Sequence, residues 1–209
     1  MEDTMGETEL LRLLHLADSA LPIGGAAHSF GLETLADEED LKPPDVETFL
    51  TGYLEECGAL EAALVRRAWR GGDLQALSEE LSARKPARES REASLKLGRR
   101  FADLVNVMLD RSVLDRDLHY CIAFGAAGAV FGIPIDAVAA AYLNQSIAAL
   151  VSACQRLMPL GQSAASRILW NLKPAIARTA LAEEVFCFSP HLELASMRHR
   201  SLEIRLFIS

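Results

Sequence analysis

The apolar residues of this chain recur every three to four positions, which is the period of an α-helix with one buried face. The clearest such stripe follows Pro43-Pro44-Asp45 and consists of Val46, Phe49, Leu50, Tyr53, Leu54, Cys57, Leu60 and Leu64. Asp45 is expected to cap this helix, because its side chain can accept hydrogen bonds from the first free backbone amides. Gly71-Gly72 is predicted to end the helix, and Asp73 to cap the next one.

Further helices are predicted wherever the same period lies between glycine and proline breakers. A short first helix is expected from Leu10 to Asp18, and another from about His28 to Asp37. Later helices are expected at Leu97–Leu109, from Asp115 or Asp117 to Gly132, at Ile135–Leu157 and at Ile168–Leu181. Pro174 is expected to kink or split the last of these, because proline lacks the N–H that a helix interior needs.

The breakers fall at regular intervals without a shift in composition, and no stretch before residue 200 alternates cleanly enough for a strand. We therefore predict an all-α fold, a single-domain helical bundle of about seven to ten helices that covers residues 1–209. Residues 1–8 are expected to be disordered. Residues 189–209 are expected to form a partner-binding tail that becomes ordered on contact.

Composition narrows the possible functions. The net charge of −8 disfavours nucleic acid as a partner, because an acidic surface repels phosphate. The N-terminus lacks the basic start of a secretion signal, and the most apolar stretch, 120–135, is shorter than the roughly 20 residues that cross a bilayer. We therefore expect a cytoplasmic protein with no membrane partner. The cysteines have no paired spacing and are interpreted as buried thiols: Cys57, Cys121, Cys154 and Cys187.

Sequence motifs of catalysis are missing from the chain. It contains no P-loop, no H-E-x-x-H and no G-x-S-x-G. Gly125, Gly128 and Gly132 have helical spacing and are interpreted as a surface for close helix contact, since no strand precedes them as in a phosphate loop. None of the histidines pairs with another at metal-ligand spacing: His15, His28, His119, His191 and His199. We therefore predict a protein-binding protein with no catalytic residues, no metal site and no cofactor.

One unusual segment is the apolar loop between Asp18 and Glu33, which contains Leu21-Pro22-Ile23-Gly24-Gly25. A loop of this composition is expected to pack either into the core or against a partner protein. In the first case Ile23 and Phe30 would fill the space between helices.

The C-terminal tail is the second unusual segment. Ser189-Pro190 suits the start of a helix. From Leu202 onward the pattern has a period of two, in which Leu202, Ile204, Leu206 and Ile208 alternate with polar residues and Phe207, whereas chain ends are usually polar and frayed. The alternation indicates a segment that is ordered by contact with the body of the protein or with another chain. Three arginines in the tail suit pairing with carboxylates: Arg198, Arg200 and Arg205.

At these two segments the sequence resembles the UreF family of urease accessory proteins. The N-terminal match is Leu16–Gly25 followed by His28–Glu33, and an internal match is the heptapeptide Arg156–Gln162, RLMPLGQ. The C-terminal match consists of Ser189-Pro190, Ala195–His199, Arg205–Phe207 and Ser209. Two departures are Ala26, where the family usually has phenylalanine, and Ala165-Ser166, where a Gly-Gln pair is common.

The resemblance implies an all-α homodimer that forms a complex with a second accessory protein, UreD (also called UreH), and with the GTPase UreG. That complex loads nickel into the urease apoprotein in a step driven by GTP hydrolysis. In the family the N-terminal segment and the tail contribute to the contact with UreD. The resemblance thus assigns partner binding to Leu21, Pro22, Ile23, Gly24, Gly25, His28, Phe30, Glu33, Met197, Arg198, His199, Arg205, Leu206 and Phe207.

Two other functions stay open at the level of the residues. The chain would be a nickel-binding metallochaperone if some of Cys57, His28, His119 and His199 formed a metal site. It would be a helical enzyme if the loop at Gly24-Gly25 lined a substrate pocket, although no nucleophile–base pair is recognisable in the sequence.

Overall fold

The computed structural model describes residues 5–38, 40–202 and 205–208. Within these ranges every regular element is a helix, which confirms the all-α prediction. The α-helices are α1 (Glu7–Leu16), α2 (Leu32–Asp37), α3 (Val46–Tyr53), α4 (Ala59–Trp69), α5 (Leu74–Arg84), α6 (Arg88–Met108), α7 (Tyr120–Val130), α8 (Ile135–Leu157), α9 (Gln162–Asn171), α10 (Lys173–Thr179) and α11 (Pro190–Arg198). A π-helical turn, Leu54–Gly58, joins α3 and α4 into one continuous helix, so the described chain has ten helices, within the predicted range.

The core lies where α7 packs between α4, α6 and α8. Close approach of these helices depends on glycine: a Cβ at Gly125 would overlap the backbone of Val65, and one at Gly128 would overlap the side chain of Val138. This geometry confirms that these two glycines serve helix contact. Gly132 differs, since it has a φ of 69° and lies in the turn that follows α7.

Helix α8 is long and apolar enough to cross a membrane by length and composition alone, whereas the sequence prediction concerned only residues 120–135. In the structure α8 packs on α4, α7 and α2. Its buried side chains include Tyr142, Ile147 and Val151. Its apolar composition therefore serves the core of the protein.

Helix α3 begins at Val46, directly after Asp45 as predicted, but the predicted cap is missing, and the predicted start of α7 is wrong. Asp45 makes no side-chain cap, because Pro43–Asp45 forms a 3-10 turn that leads into α3. Helix α7 starts at Tyr120 and not at Asp115 or Asp117, because the side chain of Asn106 holds the preceding loop through hydrogen bonds to the backbone of Val113 and Leu114. The cap at Asp73 is confirmed: its carboxylate accepts from two amides at the start of α5, each at 3.1 Å.

The ends of the chain also differ from the expectation. Helix α1 begins at Glu7, so the predicted disorder does not extend to residues 7 and 8, while residues 1–4 lie outside the described ranges.

The helix predicted from His28 begins only at Leu32, because Phe30 and Gly31 have φ values of 52° and 92° that no α-helix accepts. The split expected at Pro174 is confirmed by the break between α9 and α10.

Candidate functional site

The two segments that the sequence singles out lie side by side. Helix α11 of the tail packs on α2, which follows the N-terminal loop. At the contact a Cβ on Gly31 would lie 3.0 Å from the carbonyl oxygen of Leu192 and 3.1 Å from the amide nitrogen of Ser196. Since Gly31 also has a positive φ, glycine meets both requirements at this position. The Ser196 hydroxyl lies 2.6 Å from that of Ser90, which attaches α11 to α6 as well.

A buried carboxylate holds the end of the tail. One oxygen of Glu33 accepts a hydrogen bond from the amide of Leu206 at 2.5 Å. The other accepts from the amide of Phe207 at 3.2 Å and lies 2.7 Å from Nε2 of His199. Because a carboxylate offers only acceptors, Nε2 of His199 carries the proton in this contact. We call Glu33, His199 and the Leu206 and Phe207 amides the Glu33 junction.

The donors of the Glu33 junction take the place of the water molecules that would hydrogen-bond to an exposed carboxylate. The side chains of Glu33 and His199 are 5% and 1% exposed. An ionised carboxylate at such a depth is stable only if its oxygens are hydrogen-bonded. Detachment of the tail would therefore leave Glu33 without its two amide donors, so the position of the tail and the burial of Glu33 depend on each other.

The internal motif also reaches the tail. The guanidinium of Arg156, near the end of α8, lies 4.0 Å from the ring centroid of Phe207, whose side chain is buried. The next residue, Ile208, donates its amide to the carbonyl of Ala27 at 2.9 Å. A cation–π contact of this kind contributes about 0.5–2 kcal/mol. All three motifs of the sequence therefore meet around residues 205–208.

The described part of the tail contacts the body of the protein, which is one of the two alternatives that the sequence left open. The buried contact is made by Phe207, whereas the alternation pointed to the leucine and isoleucine positions. Phe207 points inward, whereas Leu206 and Ile208 are 64% and 63% exposed. Leu202 is half-buried. Ile204 belongs to the same predicted pattern and lies outside the described residues, as does Ser209.

Exposed apolar and arginine side chains flank the residues of the Glu33 junction along the tail. Leu194 and Met197 on the outer side of α11 are 53% and 43% exposed. Arg198 pairs with Glu38 at 2.7 Å, and Arg200 pairs with Glu89, as expected for these arginines. We call the following exposed residues the docking face: Leu194, Met197, Arg198, Arg205, Leu206 and Ile208.

The other predicted site residues of the N-terminal loop lie mainly inside. Leu21 and Ile23 are each 7% exposed and join the core, Phe30 is half-buried, and Pro22 is exposed. Gly24 and Gly25 are half-buried, and Gly24 has a φ of 83°. The guanidinium of Arg100 fixes the loop by donating to the carbonyl of Ile23 at 3.0 Å. These positions therefore belong mainly to the inside of the protein.

His28 belongs to this inner layer. Its side chain is buried, and its ring lies 5.9 Å from that of Phe30. Burial, together with the positive charges of Lys96 and Arg100, lowers the pKa of His28 to about 4. At neutral pH the His28 ring is therefore uncharged.

Beside the loop lies a cavity of about 370 Å³, lined by Leu21, Ile23 and Phe30 on one side and by a buried charge pair on the other. In that pair Lys85 donates to one oxygen of Glu61 at 3.0 Å, and the Tyr142 hydroxyl donates to the other oxygen at 2.8 Å. Burial works to lower the pKa of Lys85, but the neighbouring Glu61 carboxylate outweighs it and the pKa is raised. Lys85 and Glu61 are therefore charged partners inside the protein.

The candidate metal ligands of the sequence are not assembled into one group. Nε2 of His119 lies 2.9 Å from the Ser82 hydroxyl, and burial lowers the pKa of His119 to about 3. His199 contacts Glu33, while Cys57 lies beside Cys187. Among the residues that the structure describes, no three His, Cys, Asp or Glu side chains lie close enough together to hold a metal ion.

Sequence reasoning missed four contacts: Arg156 with Phe207, Lys85 with Glu61, Cys57 with Cys187, and Glu33 with His199. Only the second had a signal in the sequence. Glu61 interrupts the apolar run 59–65, and a carboxylate in the middle of a buried helix requires a cationic partner. The other three contacts join residues that are far apart in the sequence, so no local pattern indicates which residues meet.

Comparison with known proteins shows the family to which the chain belongs. The UreF family model matches residues 42–173, which include the internal motif. A protein of Corynebacterium glutamicum named urease accessory protein UreF is 34% identical, and the alignment covers 94% of this chain and 96% of that protein. Proteins of the same name from Paenarthrobacter aurescens and Nostoc are 32% and 33% identical, over 98% and 99% of this chain and 100% and 98% of their own. This chain belongs to the UreF family.

Proposed function

We propose that this protein is a urease accessory protein that acts as a non-catalytic scaffold in the cytoplasm, as a homodimer. In this role it joins UreD (UreH) and the GTPase UreG to the urease apoprotein and promotes GTP-dependent insertion of nickel. The names of the relatives support the accessory role. The observation that carries the proposal is the Glu33 junction together with the contact of Arg156 with Phe207, since the three motifs that resemble the family meet there.

The Glu33 junction supports a docking role because it fixes the backbone beneath the docking face. The backbone amides of residues 206–208 are all hydrogen-bonded to the body of the protein. With Phe207 buried between them, the side chains of Leu206 and Ile208 face outward. An ordered apolar surface loses less conformational entropy on binding than a free tail does. Arg198 and Arg205 at its rim suit carboxylates on UreD, and rim charges of this kind guide association and register.

A division of labour follows from the motifs. The chain has no P-loop, so in this proposal the GTP site belongs to UreG. A scaffold controls a GTPase by binding its two nucleotide states with different affinity, and no catalytic group on the scaffold is required for that.

The test uses the full chain with exposed residues of the docking face changed. Met197→Asp combined with Leu206→Asp places charge on two exposed apolar side chains of the docking face. We expect at least a tenfold loss of UreD capture in a pull-down, and a matching loss of urease activation in an assay with UreG, GTP and nickel. The matched control is Val107→Asp, at a residue that is 77% exposed near the end of α6, which should keep both activities. Undiminished capture by the double variant would contradict the proposal.

The metallochaperone alternative is tested with the same protein. Titration of nickel into the isolated chain, followed by calorimetry, measures its affinity directly. Tight binding that disappears in His28→Gln or His199→Gln would overturn the scaffold proposal in favour of a nickel carrier.

A further inference from the structure

Two cysteines that are 130 residues apart in sequence lie together in the structure. The sulfur atoms of Cys57 and Cys187 are 3.7 Å apart, and the Ser189 hydroxyl lies 3.2 Å from the first and 3.3 Å from the second. Cys57 lies in the π-helical turn between α3 and α4, while Cys187 lies in the irregular connector 180–189 that leads to α11. Neither thiol takes part in the Glu33 junction.

The connector is held in register with the π-helical turn by its neighbours. The amide of Phe188 donates to the carboxylate of Glu56 at 2.7 Å, so the residues next to each cysteine are also paired. The two sulfurs therefore face each other because of the fold, and a displacement of less than 2 Å would bring them to the bonding distance of about 2.05 Å. The connector has no regular structure that would oppose such a movement.

The two thiols differ in access and in acidity. Cys57 is 7% exposed, whereas Cys187 is half-buried and can be reached by a small reagent. Hydrogen bonds from Cys57 and Ser189, together with the charge of Lys85, lower the pKa of Cys187, although burial and Glu56 act in the opposite direction. The reactive thiolate form is thus favoured at the accessible member of the pair.

We propose that Cys57 and Cys187 form an intrachain disulfide when the protein meets a peroxide, and that this bond fastens the base of α11 to the core. The Cys187 thiolate attacks an oxygen of hydrogen peroxide, which gives Cys187 sulfenic acid and hydroxide. The Cys57 thiol then attacks that sulfur, the S–S bond forms, and the sulfenic oxygen leaves as water. The two thiols together lose two electrons and two protons, and the peroxide is reduced to two molecules of water.

The bond would act on the tail because of where Cys187 lies. Helix α11 begins at Pro190, three residues after Cys187, and α11 carries part of the docking face. A covalent link at Cys187 limits how far the start of α11 can move from α3 and α4. Formation of the disulfide does not depend on the proposed docking of UreD, so the two ideas fail separately.

The test treats the reduced full chain with hydrogen peroxide, blocks the remaining thiols and maps the peptides by mass spectrometry without reductant. We expect a Cys57–Cys187 linked peptide, a mass loss of about 2 Da, and reversal by dithiothreitol. Cys121 and Cys154 are both fully buried and serve as internal controls, which should react at least tenfold more slowly. Equal reaction of all four cysteines would overturn the proposal.

Two variants separate the steps. Cys57→Ser should stop the reaction at a Cys187 sulfenic acid that dimedone traps, whereas Cys187→Ser should leave Cys57 a thiol. If Cys187 of the unaltered protein is instead oxidised to the sulfinic acid without any linked peptide, the pair is not a disulfide site and the inference is wrong.

Discussion

Two buried carboxylates, Glu61 and Glu33, are hydrogen-bonded in quite different ways. Glu61 is 7% exposed and is bound by Lys85 and Tyr142, whose positions are set by the packed helices around them. Glu33 is 4% exposed and is bound by His199 and by two backbone amides of the chain end. The first carboxylate joins parts of the core, whereas the second joins the two terminal segments.

We infer from this contrast that Glu61 serves the stability of the core, whereas Glu33 serves the position of the tail. The side chains of Lys85 and Glu61 are both buried in the body of the protein, so removal of the Lys85 charge leaves a buried carboxylate without its cation. The two amide partners of Glu33 lie in the short described stretch 205–208. Detachment of this stretch would let water reach the carboxylate of Glu33. We therefore expect damage at Glu61 to unfold the protein and damage at Glu33 to release the tail.

The largest effect is expected for Lys85→Met. This change leaves the Glu61 carboxylate buried without its cationic partner, which costs about 3–5 kcal/mol of the free energy of unfolding. Urea denaturation followed by circular dichroism measures the loss. The double variant Lys85→Met with Glu61→Gln should recover most of it, because the glutamine is neutral and still accepts from Tyr142. If the double variant is no more stable than Lys85→Met, the buried charge is not the cause.

The second prediction concerns Glu33→Gln. A glutamine places an NH₂ group where one carboxylate oxygen accepts hydrogen bonds. That NH₂ group would face an N–H donor of the tail, and the hydrogen bond would be lost. We expect a loss of about 1–3 kcal/mol in the free energy of unfolding, smaller than for Lys85→Met because the tail can detach. Hydrogen exchange should show faster exchange of the Leu206 and Phe207 amides while the amides of α7 stay protected. Unchanged protection of the tail would contradict the Glu33 junction.

The third prediction concerns the pH dependence of the core. The pKa of His119 is lowered to about 3 by burial, with Lys85 adding to the effect, whereas an unfolded histidine titrates near 6.5. The unfolded chain therefore binds one more proton between these values, so the stability contribution is complete above pH 6.5 and falls as the pH falls toward 3. His119→Gln keeps a group near Ser82 and should reduce the slope by about 1 kcal/mol per pH unit.

Urea denaturation of both proteins at several pH values from 7 to 4 measures that slope. Equal slopes for the original chain and His119→Gln would show that His119 takes up its proton as easily in the folded state as in the unfolded one.

The smallest effect on stability is expected for Arg198→Gln. Its ion pair with Glu38 is largely exposed, and exposed pairs contribute about 0–1 kcal/mol. The free energy of unfolding should thus change by less than about 0.5 kcal/mol, while UreD association slows and loses part of its dependence on salt. An association rate equal to that of the original chain would remove Arg198 from the docking face.

The sequence predicted what local chemistry determines. Apolar stripes located the long helices, Asp73 identified a cap, and Pro174 identified the break between α9 and α10. The sequence prediction failed where the start of a helix depends on a single specific contact. Helix α7 is an example, because the hydrogen bonds of Asn106 to the preceding loop delay its start. The positive φ of Phe30, which delays α2, also has no signal in the residue type.

The candidate site divides in the same way. Its two terminal segments were recognisable from the resemblance, but which residues face inward was not. An alternation of apolar residues does not say which of its two faces is buried, and Phe207, rather than Leu206 or Ile208, is the buried one. The pairing of Glu33 with His199 joins residues 166 positions apart, a distance at which sequence pattern carries no geometric information.

The most direct test of the central idea measures the affinity of UreD for the Glu33→Gln chain and for Glu38→Gln, a matched control that removes only an exposed ion pair. Both proteins should be folded by circular dichroism before the measurement. If the Glu33 junction organises the docking face, Glu33→Gln weakens UreD binding at least tenfold and Glu38→Gln no more than about threefold. Equal affinities of the original chain and Glu33→Gln, with the tail amides of the variant exchanging freely, would show that UreD does not need the ordered tail.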